Sequence, residues 1–316
     1  MPMPIIGSGP TETLTSPANS RLSAPTASIP TASFRPQQSL AEIAIELLNP
    51  VSSLQSYSGE YLSQSYQGEL PNADQQNLRA VAFTSSFPFY LDSGKNIVAR
   101  LTIPVYLAQP TYTYPGNSTD FTEWRIRQEV STIALSGDFY DVHAHMDDIS
   151  FDVAYGGVND RELINMVGIA GVLPTSEDGS GARHLYLLGP EIALAKKFEG
   201  GIAGGWLKHL TKVLGTSPDV EQNSNLTEMK LFFAQEMGNG WQLLANTNLT
   251  YDWVGEKDNK LLLPVGGGVA KTIRIGSLPV RFVVEAQKYL ETPNTFGPDW
   301  ALKFTLTVVD MPHSRF

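Results

Sequence analysis

The stretch "WQLLANTNLTYDW", residues 241–253, decides the fold because its residues alternate with period two. One parity is apolar and the other polar, and this alternation predicts a β-strand with two unlike faces. The apolar face carries Trp241 at one end and Tyr251 and Trp253 at the other. Aromatic rings at both ends of an apolar face are typical of strands that cross a lipid bilayer. A half-buried strand of a soluble sandwich or lipocalin is the alternative.

The same alternation recurs along most of the chain after residue 55. In residues 95–108, for example, Ile97, Leu101 and Ile103 oppose Arg100 and Thr102. Several strands place ionised residues on the face away from the apolar one, and the lumen of a barrel would keep them hydrated. We predict about twelve strands, at 55–69, 77–90, 95–108, 143–156, 162–174, 184–198, 201–214, 226–237, 241–254, 260–275, 278–290 and 299–310.

The connections between these strands alternate in length. Turns such as "EGG" and "GNG" are short, whereas connections such as "GTSPDVEQNSN" and the segment 109–142 are long. Short periplasmic turns, longer external loops and an even strand number are typical of outer-membrane barrels. The predicted fold is therefore all-β: a transmembrane antiparallel β-barrel of about 12 strands with a short N-terminal helix and a disordered N-terminal arm.

Composition limits the classes of partner and chemistry. The 316 residues include 22 Lys and Arg against 32 Asp and Glu, a formal net charge of −10, which argues against nucleic acid as a partner. There is no cysteine, so disulfides and thiol chemistry are excluded. The sequence contains no run of about 18 apolar residues, so no transmembrane helix is predicted. The first ten residues lack the basic and apolar regions of a secretory signal, so we expect no signal peptide in the chain as it stands.

Four segments follow from the local patterns. Residues 1–38 are rich in Pro, Ser and Thr and predict a flexible arm. Residues 39–49 predict a periplasmic helix, because Ser39 and Glu42 form a capping box and Pro50 ends the pattern. Residues 50–310 form the predicted barrel, and 311–316 a short C-terminal tail.

Five blocks in this order resemble one known family: "NPVSSLQS" (49–56), "SSFPFYLDSGKNIVARLTIPV" (85–105), "GIAGVLPTSEDGSGARHLYLLGPEIAL" (168–194), "GNGWQLLANTNLTYDW" (238–253) and "LPVRFVVEAQKYLETPNTFGPDWALKFTLTVV" (278–309). The family is that of the bacterial outer-membrane barrels called meta-pathway phenol-degradation proteins, also known as transporter or neuromedin-U-like proteins. The resemblance implies a porin-like β-barrel in the Gram-negative outer membrane that passes small, including aromatic, molecules. It implies no catalytic residues. The arm, the segment 109–142 and the tail depart from the family pattern.

The candidate site residues are those that parity places in the lumen or at the membrane interface. The lumen-lining candidates are Arg100, Asp152, Glu191, Glu228, Lys230, Glu236, Asp252, Arg274, Arg281 and Glu285. The membrane-interface aromatics are Trp241, Tyr251, Trp253 and Trp300.

We predict no cofactor and no metal. In "DVHAHMDD" only His143 and His145 are candidates to share a surface ion, because four ligands in a straight strand row span about 20 Å.

Three functions remain open. The first is a passive outer-membrane channel or transporter for small solutes, hydrophobic or aromatic ones included. The second is a structural or adhesive barrel whose lumen is plugged by salt bridges or by the capped helix. The third is an outer-membrane lipid hydrolase, for which no characteristic Ser/His arrangement is found, so we predict a protein that is not an enzyme. The expected partners are outer-membrane lipid and lipopolysaccharide, the barrel insertion machinery and a small-molecule solute.

Overall fold

The computed structural model describes residues 38–113, 137–176, 185–214, 224–255 and 259–310. The predicted arm up to residue 37, the middle of the segment 109–142 and the tail 311–316 lie outside the described residues.

Within these described residues, twelve long antiparallel strands form one closed barrel. The first and last strands close the barrel, and their register runs from Gln55 opposite Asp310 to Gln67 opposite Gly297. The predicted barrel is therefore confirmed, with most strand ends within two residues of their predicted positions. The barrel strands are β1 (Gln55–Gln67), β2 (Asn77–Tyr90), β3 (Asn96–Thr113), β6 (Ile149–Val158), β7 (Leu163–Leu173), β8 (Tyr186–Phe198), β9 (Gly201–Leu214), β10 (Asn225–Gly238), β11 (Trp241–Asp252), β12 (Leu261–Ile275), β13 (Leu278–Glu291) and β14 (Gly297–Asp310). The short strands β4 (Asp138–Val142) and β5 (His145–Met146) pair with the outer part of β3.

The two ends of the barrel differ in their connections. One end, called the short-turn end below, carries tight turns such as Asn239–Gly240 between β10 and β11. Both of these residues have positive φ, 53° and 78°, as a two-residue hairpin turn requires. The opposite end, called the long-loop end, carries the longer connections, as predicted.

The region after residue 142 corrects one predicted boundary. The predicted strand 143–156 begins only at Ile149, because residues 138–142 pair with an extension of β3 that reaches Thr113. The chain must cross from that extension to the barrel wall before β6 can start. Asp141, His143, His145 and Asp147 therefore do not form one straight strand row.

The outer surface of the barrel is apolar. Val167, Ile169 and Leu194, each in the middle part of a strand, are 57%, 51% and 59% exposed. An apolar band of this extent around a closed barrel is suited to lipid rather than water. None of the described helices is long and apolar enough to cross a membrane.

Arginine at mid-strand on this surface should destabilise the barrel. We expect Ile169→Arg to lower the free energy of unfolding in lipid by about 2–4 kcal/mol, because the charge would lie near the bilayer midplane. The control is Ile275→Arg, at the last residue of β12 and 56% exposed, which should cost about 0–1 kcal/mol at the interface. Denaturant titration in lipid vesicles measures both. Equal costs at the two positions would contradict a lipid-facing surface.

The chain before β1 lies inside the barrel. Residues 38–54, called the inner segment below, contain the helix α1 (Leu40–Glu46). The helix begins with the predicted capping box: the Ser39 N–H donates to Glu42 Oε2 at 2.7 Å, and the Glu42 N–H donates to Ser39 Oγ at 3.2 Å. The hydrogen bond that the Glu42 carboxylate accepts from the Ser39 N–H lowers the pKa of this carboxyl, and the bond it accepts from the Ser39 side chain adds to the effect. The helix packs against β10, β12 and β13 at the short-turn end.

Candidate functional site

The inner segment fills the lumen at the short-turn end with apolar contacts. Ile43 and Val51 are fully buried, and Ile43 packs with Leu54 and with Val309 on the inner face of β14. Ile45, Leu48 and Val51 pack against small and branched side chains of the opposite walls. These wall residues are Val98, Ala154, Ile164, Met166, Ala193, Ala195, Ile202, Ala234, Leu244, Ala270 and Val283. A packed apolar core therefore holds the inner segment in this half of the barrel.

Polar contacts hold the inner segment at both of its ends. The Lys197 ammonium on β8 forms an ion pair with Glu46 Oε2 at 2.7 Å, and Glu46 Oε1 accepts the Ser53 N–H at 2.8 Å. Arg274 donates to the Gln38 carbonyl at 2.7 Å. Further along, Arg100 donates to the Pro50 carbonyl at 2.6 Å. These bonds fix the segment to several strands, and each can break without disturbing the ladder of the barrel.

Loss of the Lys197 ammonium should loosen the inner segment. Lys197→Met leaves Glu46, 8% exposed, without its counter-ion, which costs the closed state about 1–3 kcal/mol. The chain has no cysteine, so Ile43→Cys gives one thiol whose reaction with a water-soluble maleimide reports release of the segment. We expect labelling to accelerate by about tenfold.

The control for this experiment is Lys196→Met, since Lys196 is the exposed neighbour on the outer face of the same strand. It should leave the labelling rate unchanged. An unchanged rate in Lys197→Met as well would show that the ion pair does not hold the segment.

The lumen contains two adjoining cavities of about 390 and 430 Å³. Arg100, Thr102, Trp206 and Lys230 line both of them. The second cavity also borders the end of the inner segment at Leu48. The volumes are within the range of sites for small molecules.

Arg100 organises the wall of the first cavity. Its guanidinium binds Asp152 through two hydrogen bonds, at 3.0 Å from Nε and 2.6 Å from Nη2, and lies 4.2 Å from the centre of the Trp206 ring. Trp206 Nε1 donates to Glu191 Oε2 at 3.0 Å, and Glu191 Oε1 lies 3.9 Å from Arg100 Nη2. Two carboxylates, an arginine and an indole therefore form one connected network across β3, β6, β8 and β9.

Other polar pairs continue around the lumen. The Lys208 ammonium binds Glu228 at 2.9 Å between β9 and β10. Arg281 donates to Gln242 Oε1 at 2.9 Å, and Asn246 donates to Glu285. Charges of both signs thus line the two cavities, so the lumen has no strong field of one sign.

The structure groups most of the sequence-predicted lumen residues. Seven line a cavity: Arg100, Asp152, Glu191, Glu228, Lys230, Arg281 and Glu285. Three line neither cavity: Glu236 beside the β10–β11 turn, Asp252 at the long-loop end and Arg274 beside the inner segment.

Sequence reasoning missed Glu60, Trp206 and Lys208 in the cavities and the pair of Glu46 and Lys197. Trp206 and Lys208 share the inward parity of β9, but glycines at 204 and 205 interrupt the alternation that would have revealed it.

Three of the predicted interface aromatics are exposed on the outer surface. Trp241 lies at the short-turn end, and Trp253 and Trp300 lie at the long-loop end. Tyr251 is half-buried and packs edge-to-face on Trp253, with ring centres 4.8 Å apart. The rings thus stand near the two edges of the apolar band.

The two histidines of "DVHAHMDD" are linked through the backbone of one and the ring of the other. His145 is 7% exposed, stacks near Tyr106 and shares a 2.8 Å hydrogen bond between Nδ1 and the His143 carbonyl. Among the described residues no group of three or more His, Asp or Glu side chains could hold a metal ion.

A third histidine forms an unexpected cluster on the outer surface. His209 Nδ1 lies 2.8 Å from Thr227 Oγ1, and Trp253 Nε1 donates to the same hydroxyl at 2.8 Å. Within the described part of the chain no carboxylate is bonded to this imidazole, so the pair lacks the third group of a hydrolytic relay.

Neither the protein-family profiles nor the curated proteins contain a match to this chain. Solved structures do match. An outer membrane channel from Pseudomonas putida F1 superposes with a TM-score of 0.56 at 10% identity, over 81% of this chain and 96% of that one. The NanC porin gives 0.46 at 8% identity over 81% and 99%, and the CymD monoaromatic hydrocarbon channel gives 0.45 at 8% identity over 86% and 93%.

The first of these matches supports the barrel fold alone, because a sequence identity of 10% carries no information about function. The other two are too distant to carry an argument. The resemblance to the meta-pathway family therefore stays a prediction.

Proposed function

We propose that this protein is a passive channel of the Gram-negative outer membrane for small solutes, and that the inner segment closes it at the short-turn end. The observation that carries the proposal is the lumen itself: two polar cavities lie inside a closed barrel with an apolar outer surface. A barrel that served only as an anchor would not need hydrated cavities lined by charges.

The inner segment is suited to be a gate that can leave the lumen, because it is not part of the β-sheet of the barrel. Its residues precede β1 and take no part in the barrel ladder, so its departure would leave every strand pair intact. Closure depends on apolar packing and a few polar bonds, which can be released on the timescale of local unfolding.

The proposed solutes are small, and hydrophobic or aromatic solutes are among them. Trp206 borders both cavities and Phe232 borders the second, so an apolar molecule would find contacts inside a polar lumen. The partners we propose are outer-membrane lipid and lipopolysaccharide around the apolar band, and the insertion machinery during assembly. Membership of the meta-pathway phenol-degradation family belongs to the same proposal, as does the absence of enzymatic activity.

Flux measurements on proteoliposomes test the channel. Vesicles that contain the full chain should swell with small neutral solutes faster than protein-free vesicles, and swelling should fall as the solute approaches the size of the cavities. Folded protein that gives no swelling, either as the full chain or without the inner segment, would overturn the proposal.

A structural barrel with a permanently plugged lumen is the second candidate. The apolar core between the inner segment and the barrel wall favours it, because such packing resembles a protein interior. This candidate predicts that the thiol at position 43 reacts only on global unfolding, whereas a gate predicts faster reaction through local release.

A further inference from the structure

Lys230 stands where the two cavities meet. It lies on the inner face of β10, directly opposite Trp206 on β9 and Asn248 on β11. Its side chain is exposed to the lumen and lines both cavities. A molecule that passes from one cavity to the other would therefore pass this ammonium.

Lys230 differs from the other cations of the cavities in having no bonded partner among the described residues. Arg100 is paired with Asp152, Lys208 with Glu228, and Arg281 with Gln242. The two carboxylates that line the second cavity have other partners: Glu285 accepts from Asn246, and Glu60 accepts from Thr305 at 3.3 Å. The three donors of the Lys230 ammonium are thus free for a ligand.

Apolar surface lies beside this ammonium on both sides. Trp206 forms part of both cavities, and Phe232, Leu48 and Leu244 form part of the second. A ligand with one charged end and an apolar body could place the charge on Lys230 and the body against these side chains.

We infer that Lys230 binds the carboxylate of a small organic monoanion with an apolar body, at the junction of the two cavities. This inference names the substrate class of the proposed channel and so rests on the proposed function. The low-dielectric walls strengthen the attraction of a single unpaired charge. The five carboxylates around the cavities, Glu60, Asp152, Glu191, Glu228 and Glu285, repel a second negative charge, so monoanions bind better than dianions.

Calorimetric titration of the full chain in detergent tests the inference without requiring flux. The probes are benzoate, phthalate as its dianionic relative and benzyl alcohol as its uncharged relative. Benzoate should bind the unmodified protein, and Lys230→Met should weaken that binding by about tenfold or more, the loss expected for a charge-assisted hydrogen bond. Lys230→Arg keeps the charge and should retain binding.

Lys196→Met is the control for loss of a lysine charge, because Lys196 is exposed on the outer face of β8 and lines neither cavity. It should leave benzoate binding unchanged, and benzyl alcohol should bind all variants alike. Absence of benzoate binding, equal affinity in Lys230→Met, or stronger binding of phthalate would each overturn the inference. Proteoliposome swelling on the same protein separates this result from failure of the channel, since swelling without benzoate binding would reject only the site at Lys230.

Discussion

A chain that begins at Gln55 should form an open pore, in contrast to the full chain, which should be closed for most of the time. The truncation removes the helix and the turn that fill the short-turn half of the lumen, and it leaves β1 and its pairing with β14 intact. A loss of about 1.4 kcal/mol in the free energy of closure shifts the equilibrium between the closed and the open pore tenfold. The truncation removes several hydrogen bonds and apolar contacts, which together contribute more than this. We therefore expect the open fraction in planar-bilayer recordings to rise by at least about tenfold.

The matched control is a chain that begins at Gln37. It lacks the Pro-, Ser- and Thr-rich arm but keeps the whole inner segment, so it should stay as closed as the full chain. An open pore in this control would assign closure to the arm instead. Silence from the chain that begins at Gln55, in protein with the intact strand content of the barrel, would favour the permanently structural barrel.

The strand pattern could be predicted from the sequence because alternation is a local property. In β11, for example, the exposure of Trp241 and Leu243 and the burial of Gln242 and Leu244 follow from parity alone. The boundary at Ile149 could not be predicted, since it depends on the pairing of residues 138–142 with a distant part of β3.

The position of the inner segment could not be predicted for a different reason. The apolar stripe of Leu40, Ile43, Ala44 and Leu47 indicates that the helix packs against something, but it does not say what. A signal was present in the several inward-facing alanines of the short-turn half, among them Ala195, Ala234 and Ala270. Small side chains facing a lumen leave room for another element, whereas the long charged ones nearer the long-loop end fill the space or line water.

Parity predicts which charged residues face the lumen, but it does not predict which of them pair. Parity places Arg100 and Glu191 on inward faces of different strands, but not within reach of each other. Their proximity is set by the barrel register, which brings β3, β6 and β8 together around one indole.

Arg100→Met should be among the most destabilising single changes in the barrel wall. It would leave Asp152 and Glu191, whose side chains are 17% and 1% exposed, without the cation that both face. Removal of one partner from a buried charge network costs about 3–5 kcal/mol, because the remaining charges stay desolvated and repel each other. The Pro50 carbonyl of the inner segment would also lose its donor. We expect a loss of this size in the free energy of unfolding, measured by denaturant titration in lipid vesicles.

Arg79→Met controls for loss of an arginine as such, since Arg79 is exposed near the start of β2, and it should change stability by less than about 0.5 kcal/mol. The double variant Arg100→Met/Asp152→Asn removes the Arg100 cation together with the negative charge of Asp152, its ion-pair partner. If repulsion and desolvation cause the loss, the double variant should recover at least about half of it, and the coupling energy in the double-mutant cycle should reach about 1–3 kcal/mol. Additive losses in the cycle would instead mean that Arg100 stabilises the barrel mainly through its stacking on Trp206 and its bond to Pro50.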